Sequence, residues 1–159
     1  METKQAVPNT PHGFTMIEML IFVSVTSMVF IVMLGVINYA TINIKQSQYK
    51  VIATHFGEEL LEWFRYQRDK DGFTAVYNLA SAQGKVYCFN ETSITTWPAE
   101  GACSGYTLKN FYKRQITLKS ETITVPDGSF EQLDAVVVTG WKLFDLARSS
   151  TIELRTTNN

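Results

Sequence analysis

From Met19 to Ile37 (MLIFVSVTSMVFIVMLGVI) the chain carries no charged residue and no proline. About 20 apolar residues in a helix, at about 1.5 Å each, cross the hydrocarbon core of a bilayer, so this run reads as a membrane-spanning segment. It also fixes what the remainder can be. Of 159 residues, about 120 follow the run, enough for one small globular head with a modest core. A carboxylate, Glu18, stands immediately before the run. An ionised side chain costs about 2.5 to 3.5 kcal/mol at a bilayer centre and less at the interface, so some partner is expected to offset its burial.

Composition narrows the function classes. Net charge is −1, the pI is near 6.1, and no Lys/Arg-rich tract occurs, so the electrostatic footprint of a nucleic-acid binder is missing and nucleic acid is not expected as a partner. His12 lies before the run and His55 beyond it, and no Cys/His zinc spacing, glycine-rich phosphate loop or nucleophile elbow is present. No catalytic residue, metal site or cofactor is therefore expected, and His55 reads as an interfacial side chain. Asp69-Lys70-Asp71-Gly72 and Asp127-Gly128 have the look of calcium loops but lack the ligand count, which leaves them as turns. Asn90-Glu91-Thr92 is a glycosylation triplet of a kind common by chance.

Beyond Ile37 the helical pattern continues while its character changes. Tyr49, Ile52, Phe56, Leu60, Trp63 and Phe64 form the apolar stripe of an amphipathic helix, with Lys50, Glu58, Glu62 and Arg65 mostly off it. The helix is expected to end near Arg68, at the turn residues Asp69 to Gly72. Four β-rich segments follow: residues 85–89, 111–119, 135–142 and 151–156. The turn-forming stretches ASAQG, PAEG, PDGS and ARSS separate or flank them. Short connections favour an antiparallel sheet, one face of which must cover the helix stripe. The expectation is an α+β fold, a long N-terminal spine helix on a roughly four-stranded antiparallel sheet. Trp141 is expected to pack in that sheet. If the head is exported, an oxidising compartment favours a bridge between Cys88 and Cys103, which would pin the intervening loop.

Three readings of the N-terminus compete. A cleavable signal peptide fits poorly, because the apolar core is too long, begins with a carboxylate, and follows a stretch with only Lys4 against Glu2. A plain signal anchor explains the length and leaves Glu18 without a role. The third rests on Gly13-Phe14-Thr15-Met16-Ile17-Glu18, which resembles the processing site of type IV prepilins and type II secretion pseudopilins. The resemblance implies a hydrophilic leader over 1–13, a membrane and assembly helix over 14–38, an amphipathic continuation over 39–68 and a β-rich head over 69–159. It further implies cleavage by a prepilin peptidase between Gly13 and Phe14, N-methylation of Phe14, and pairing of Glu18 with the N-terminal ammonium of a neighbouring subunit.

The implied partners are other pilin or pseudopilin subunits, the peptidase, an inner-membrane assembly platform and the lipid bilayer. The implied location is the inner membrane with the head on the periplasmic side, then a surface pilus or a periplasmic pseudopilus. That orientation comes from the resemblance, because Lys45 and Lys50 follow the helix and the positive-inside count does not support it. Where major pilins carry a helix-breaking proline, this chain has Gly35, which suits either local unwinding on assembly or a close helix contact. The order FYKRQITL, AVVVTGWKLFD, STIELRTTN is loosely similar to the heads of minor pilins and minor pseudopilins of the PilV and GspI type. The alternative from another class is a monomeric, signal-anchored envelope binding domain.

Overall fold

In a computed structural model of the chain, residues 13–126, 128–143 and 146–158 are described. Residues 1–12 of the leader, His12 among them, and Asp127 of the Asp127-Gly128 turn lie outside them. The described residues form a helix α1 (Met16–Asp71), a short helix α2 (Phe73–Tyr77), and strands β1 (Lys85–Cys88), β2 (Tyr112–Val125), β3 (Gly128–Leu143) and β4 (Leu146–Thr157). Two compact units result, the first ending at Ile44 and the second running from Lys45 onward.

In the first unit no proline falls within α1, so the helix runs unbroken, and four of its side-chain hydroxyls close on the helix backbone. Ser24 Oγ donates to Ile21 O at 2.8 Å, Thr26 Oγ1 to Phe22 O at 2.8 Å, Ser27 Oγ to Val23 O at 2.7 Å and Thr41 Oγ1 to Ile37 O at 2.8 Å. Such bonds remove the desolvation cost that a free hydroxyl would meet in an apolar medium. None of the most apolar stretch is buried within the chain. Among the described residues, one helix is thus long and apolar enough to cross a membrane.

The second unit is α+β. Its four strands lie in the order β1-β2-β3-β4, every neighbouring pair antiparallel; tight turns join β2 to β3 and β3 to β4, whereas the long stretch 89–111 separates β1 from β2. Burial alternates along β2 and β3, so Tyr112, Arg114, Ile116 and Leu118, with Leu133, Ala135, Val137, Thr139 and Trp141, turn to one face. The main core packs Leu60, Leu61 and Phe64 of α1 against Ile116, Leu118, Leu133, Ala135 and Val137, closed by Val76, Tyr87 and Phe89. A second cluster joins Ala53, Leu108, Tyr112 and Trp141, with Tyr49, Phe56 and Leu143 packed on it.

Several boundaries differ from the sequence expectation. The helix runs three residues past Arg68, and Asp69 to Asp71 are helical. Gly72 alone breaks it, at φ 87°, with its N–H donating to Arg68 O at 2.9 Å, because a residue without Cβ takes the left-handed conformation freely. The helical turn α2 then falls in a stretch to which the sequence pattern assigns no element, within the part expected to be β-rich. ARSS is strand, lying within β4, and β2 and β3 extend well beyond 119 and 135 into a long hairpin toward PDGS. The hairpin's outer part is mostly exposed, and its apolar residues Ile123 and Val125 fall on the face opposite Ile116 and Leu118, so the buried alternation of 112–118 does not continue through it.

The helix seam also differs. Ile52 is 44% exposed, whereas Ala53 and Gly57 are buried. A Cβ on Gly57 would stand 2.9 Å from Ile152 Cδ1 and 3.4 Å from Thr139 Oγ1. Small residues let the helix backbone approach the sheet, and the large aromatics Tyr49, Phe56 and Trp63 flank that seam, half-buried.

Candidate functional site: the helix start and the buried arginine

The helix begins at Thr15-Met16-Ile17-Glu18. Thr15 Oγ1 accepts from the Glu18 N–H at 3.4 Å, and Glu18 Oε2 accepts from the Thr15 N–H at 3.5 Å. Thr15 O accepts the first backbone bonds, from Glu18 and Met19. This reciprocal arrangement is a capping box, a Thr at the N-cap answered by a Glu three residues on, and it satisfies two backbone donors that a helix start otherwise leaves open. A carboxylate in the first turn also meets the positive end of the helix dipole. Glu18 therefore has a local partner within its own chain, one that the T-x-x-E spacing carries and that the sequence reading passed over. Both contacts are at the long end of hydrogen-bond distances. They engage one carboxylate oxygen and, among the described residues, leave Oε1 open.

Gly13 and Phe14 stand outside the helix, with Phe14 78% exposed. Phe14, Glu18, Met19, Ile21, Phe22 and Val25 line one shallow groove, so the carboxylate sits among apolar side chains.

In the head, Cys88 and Cys103 are joined by a disulfide across a sequence separation of 15. The loop it encloses is packed rather than loose. Trp97 sits with its ring centroid 5.1 Å from Trp63, 5.4 Å from Tyr87 and 5.8 Å from Phe89. Asn90 is a structural residue: its Nδ2 donates to Gly105 O at 2.8 Å and its Oδ1 accepts from the Arg114 N–H at 2.9 Å. His55 is exposed on α1, and among the described residues no group of three His, Cys, Asp or Glu is arranged to hold a metal ion.

The residue that sequence reasoning missed is Arg114, whose side chain is 0% exposed. Its Nε donates to Phe89 O at 3.1 Å, Nη1 to Phe56 O at 3.0 Å and to Glu59 Oε2 at 2.8 Å, and Nη2 to Glu91 O at 3.1 Å. The guanidinium also lies 5.8 Å from the Phe56 ring centroid. One planar, multiply donating group thereby ties β2 to α1, to the residue after β1 and to the disulfide loop. Burial pushes its pKa down, and the hydrogen bond and charge of Glu59 pull it back up. The signal was available in FYKRQITL, where alternation puts an arginine at an inward position between Tyr112 and Ile116.

Comparison with known proteins adds no relative to these observations: no family model, no curated protein and no solved structure matches the chain.

Proposed function

We propose that the chain is a minor pilin or pseudopilin. It is a non-enzymatic subunit of a type IV pilus or a type II secretion-type fibre, cut by prepilin peptidase after Gly13, methylated at Phe14 and assembled through its N-terminal helix. The observation that carries this reading is the juxtaposition of Gly13-Phe14-Thr15-Met16-Ile17-Glu18 with an apolar helix that finds no cover among the described residues. Apolar surface of that extent calls for a bilayer, for other helices, or for each in turn. The subunit is first held in the inner membrane with its head on the periplasmic side, and its helix then packs in the fibre core. A head stapled by a disulfide suits an oxidising compartment.

Cleavage leaves Thr15 inside the mature chain, so the helix cap survives processing. The open Glu18 Oε1 is the oxygen that would receive the ammonium of Phe14 from a neighbouring subunit. Leaving one member of such a pair alone in low dielectric costs about 3 to 5 kcal/mol, enough to set the axial register of an incoming subunit.

The capping box is the observation on the side of a second reading, a signal-anchored envelope binding domain, since it gives Glu18 a purpose without any fibre. Intact mass and N-terminal sequence of the protein from a cell with an active prepilin peptidase separate the two. A chain starting at a methylated Phe14 supports the fibre subunit. An uncut Gly13-Phe14 bond supports the anchored domain.

A further inference from the structure

Four stretches far apart in sequence meet at one end of the second unit. Tyr49 of α1 lies with its ring 6.4 Å from Phe111 and 6.3 Å from Tyr112. Tyr112 pairs with Trp141, Trp141 pairs with Arg148, and Leu143 packs on the same cluster. Within residues 45–57, 105–113, 139–143 and 146–150 stand Lys45, Lys50, Lys109, Lys113, Lys142 and Arg148, without a single carboxylate. Asp145, outside the described residues, brings the balance to six cations against one anion. Among the described residues none of the six has a carboxylate within salt-bridge distance. The chain's net charge of −1 conceals this asymmetry.

Two features mark the surface as suited to a partner. Lys113 Nζ and Lys142 Nζ lie 5.2 Å and 5.3 Å from the centroid of the one Tyr106 ring, so two like charges are held close together with only an aromatic ring to offset them. Beside them, Leu108 and Tyr112 exchange backbone hydrogen bonds at 3.0 Å and 2.9 Å, closing a tight loop with Lys109 at φ 50° and Asn110 at φ 64°. Left-handed backbone at a lysine is uncommon and strained. Its product is a tip that presents Lys109 and a Phe111 that is 54% exposed, with Leu146 60% exposed on the neighbouring hairpin. Cations mixed with exposed aromatic and aliphatic side chains match a bilayer interface, where the apolar groups enter the headgroup boundary and the cations meet lipid phosphates.

We propose that this end of the head docks on the anionic headgroup surface of the bilayer that holds the apolar segment. Lys45 follows Ile37, the last residue of that segment, by eight positions in the chain, so the tether keeps the surface close to the lipid. The proposal rests on the reading that 19–37 sits in a bilayer and is independent of assembly into a fibre.

The test uses the full chain in lipid nanodiscs at one copy per disc, with co-elution reporting insertion separately from docking. Amide hydrogen exchange of residues 107–112 is compared between discs of phosphatidylcholine alone and discs with about 30 mol % phosphatidylglycerol. The expected result is exchange at least about fivefold slower in the anionic discs, the factor that one lysine near an anionic surface supplies. It should be reversed in about 0.5 M salt, where exposed charges are screened. The combined K109E, K142E and R148E variant should lose this protection while exchange in the Ile116 and Val137 strands stays unchanged. Equal exchange in both lipids overturns the proposal. So does protection that follows the number of copies per disc, which would assign the surface to a second copy. Equal protection by a short DNA duplex in uncharged discs would assign it to nucleic acid.

Discussion

Replacing Arg114 by Met tests whether one buried guanidinium holds the helix, the sheet and the disulfide loop in register. Met has similar reach and no donors. Of the four groups Arg114 serves, Phe56 O lies within a continuous helix and keeps its own helical donor, Glu91 is exposed, and Glu59 is 43% exposed and turns to water. Phe89 O, on a residue 5% exposed, loses its side-chain partner outright, which costs about 1 to 3 kcal/mol. Loss of the contact with the Phe56 ring adds about 1 kcal/mol, and release from burying a cation returns part of the total. We expect a net loss of about 2 kcal/mol.

By contrast, Glu59→Gln keeps an acceptor at a half-exposed site and should cost less than about 1 kcal/mol. Urea unfolding of the full chain in a mild non-ionic detergent measures both, because all three tryptophans, Trp63, Trp97 and Trp141, lie in the head and report on it alone. At about 1 to 3 kcal/mol per M, the Arg114→Met midpoint should fall by about 0.7 to 2 M. A shift equivalent to less than about 0.5 kcal/mol would refute the anchoring argument. If Glu59→Gln costs as much as Arg114→Met, the ion pair rather than the carbonyl contacts carries the effect.

Glu18→Gln preserves a side chain able to complete the capping box while removing the charge, whereas Glu18→Ala removes both. On the proposed function both are cleaved after Gly13 and both enter fibres poorly, and fibre fractions of cells expressing each variant read this directly. Wild-type incorporation of Glu18→Gln would show that the charge is dispensable. Replacing Cys88 and Cys103 together by Ser should destabilise the head by about 3 kcal/mol, from reopening a loop of about 15 residues. Its urea midpoint, compared with and without reductant for the parent chain, checks this.

Burial raises the phenol pKa of Tyr87 and of Tyr112, and the Tyr87 O–H donates to Leu79 O at 2.7 Å. The folded state therefore holds these protons more tightly than the unfolded chain, so their contribution to stability is complete below about pH 10 and is lost as pH rises through the folded values. Midpoints measured from pH 8 to 11 should fall at the alkaline end, and less steeply in Tyr87→Phe.

Much of the architecture follows from local pattern. The apolar run, the amphipathic continuation and the four strands in antiparallel order are each encoded within a dozen or so neighbouring residues, where periodicity reports on burial. What escaped detection depends on contacts between segments. Ile52 and Ala53 compete for the same helix face, and the choice of Ala53 with Gly57 follows from how closely the sheet approaches, which only Ile152 and Thr139 reveal. Arg114 looks like any strand arginine until Phe56, Phe89 and Glu91 bring their carbonyls to it. The six cations at one end belong to four separate stretches, so scanning the chain for a basic tract finds none. The T-x-x-E cap is the exception, a wholly local signal overshadowed by the longer motif that contains it.

The hydroxyls of Ser24, Thr26, Ser27 and Thr41, each closed on a carbonyl one turn back, bear on how a helix changes its surroundings. A segment whose polar donors are already spent offers lipid tails and neighbouring helices the same greasy cylinder, and leaving one for the other breaks none of these bonds. On the proposed function, extraction would then be governed by side-chain packing and by Glu18, and these four hydroxyls would offer the helix no resistance to leaving.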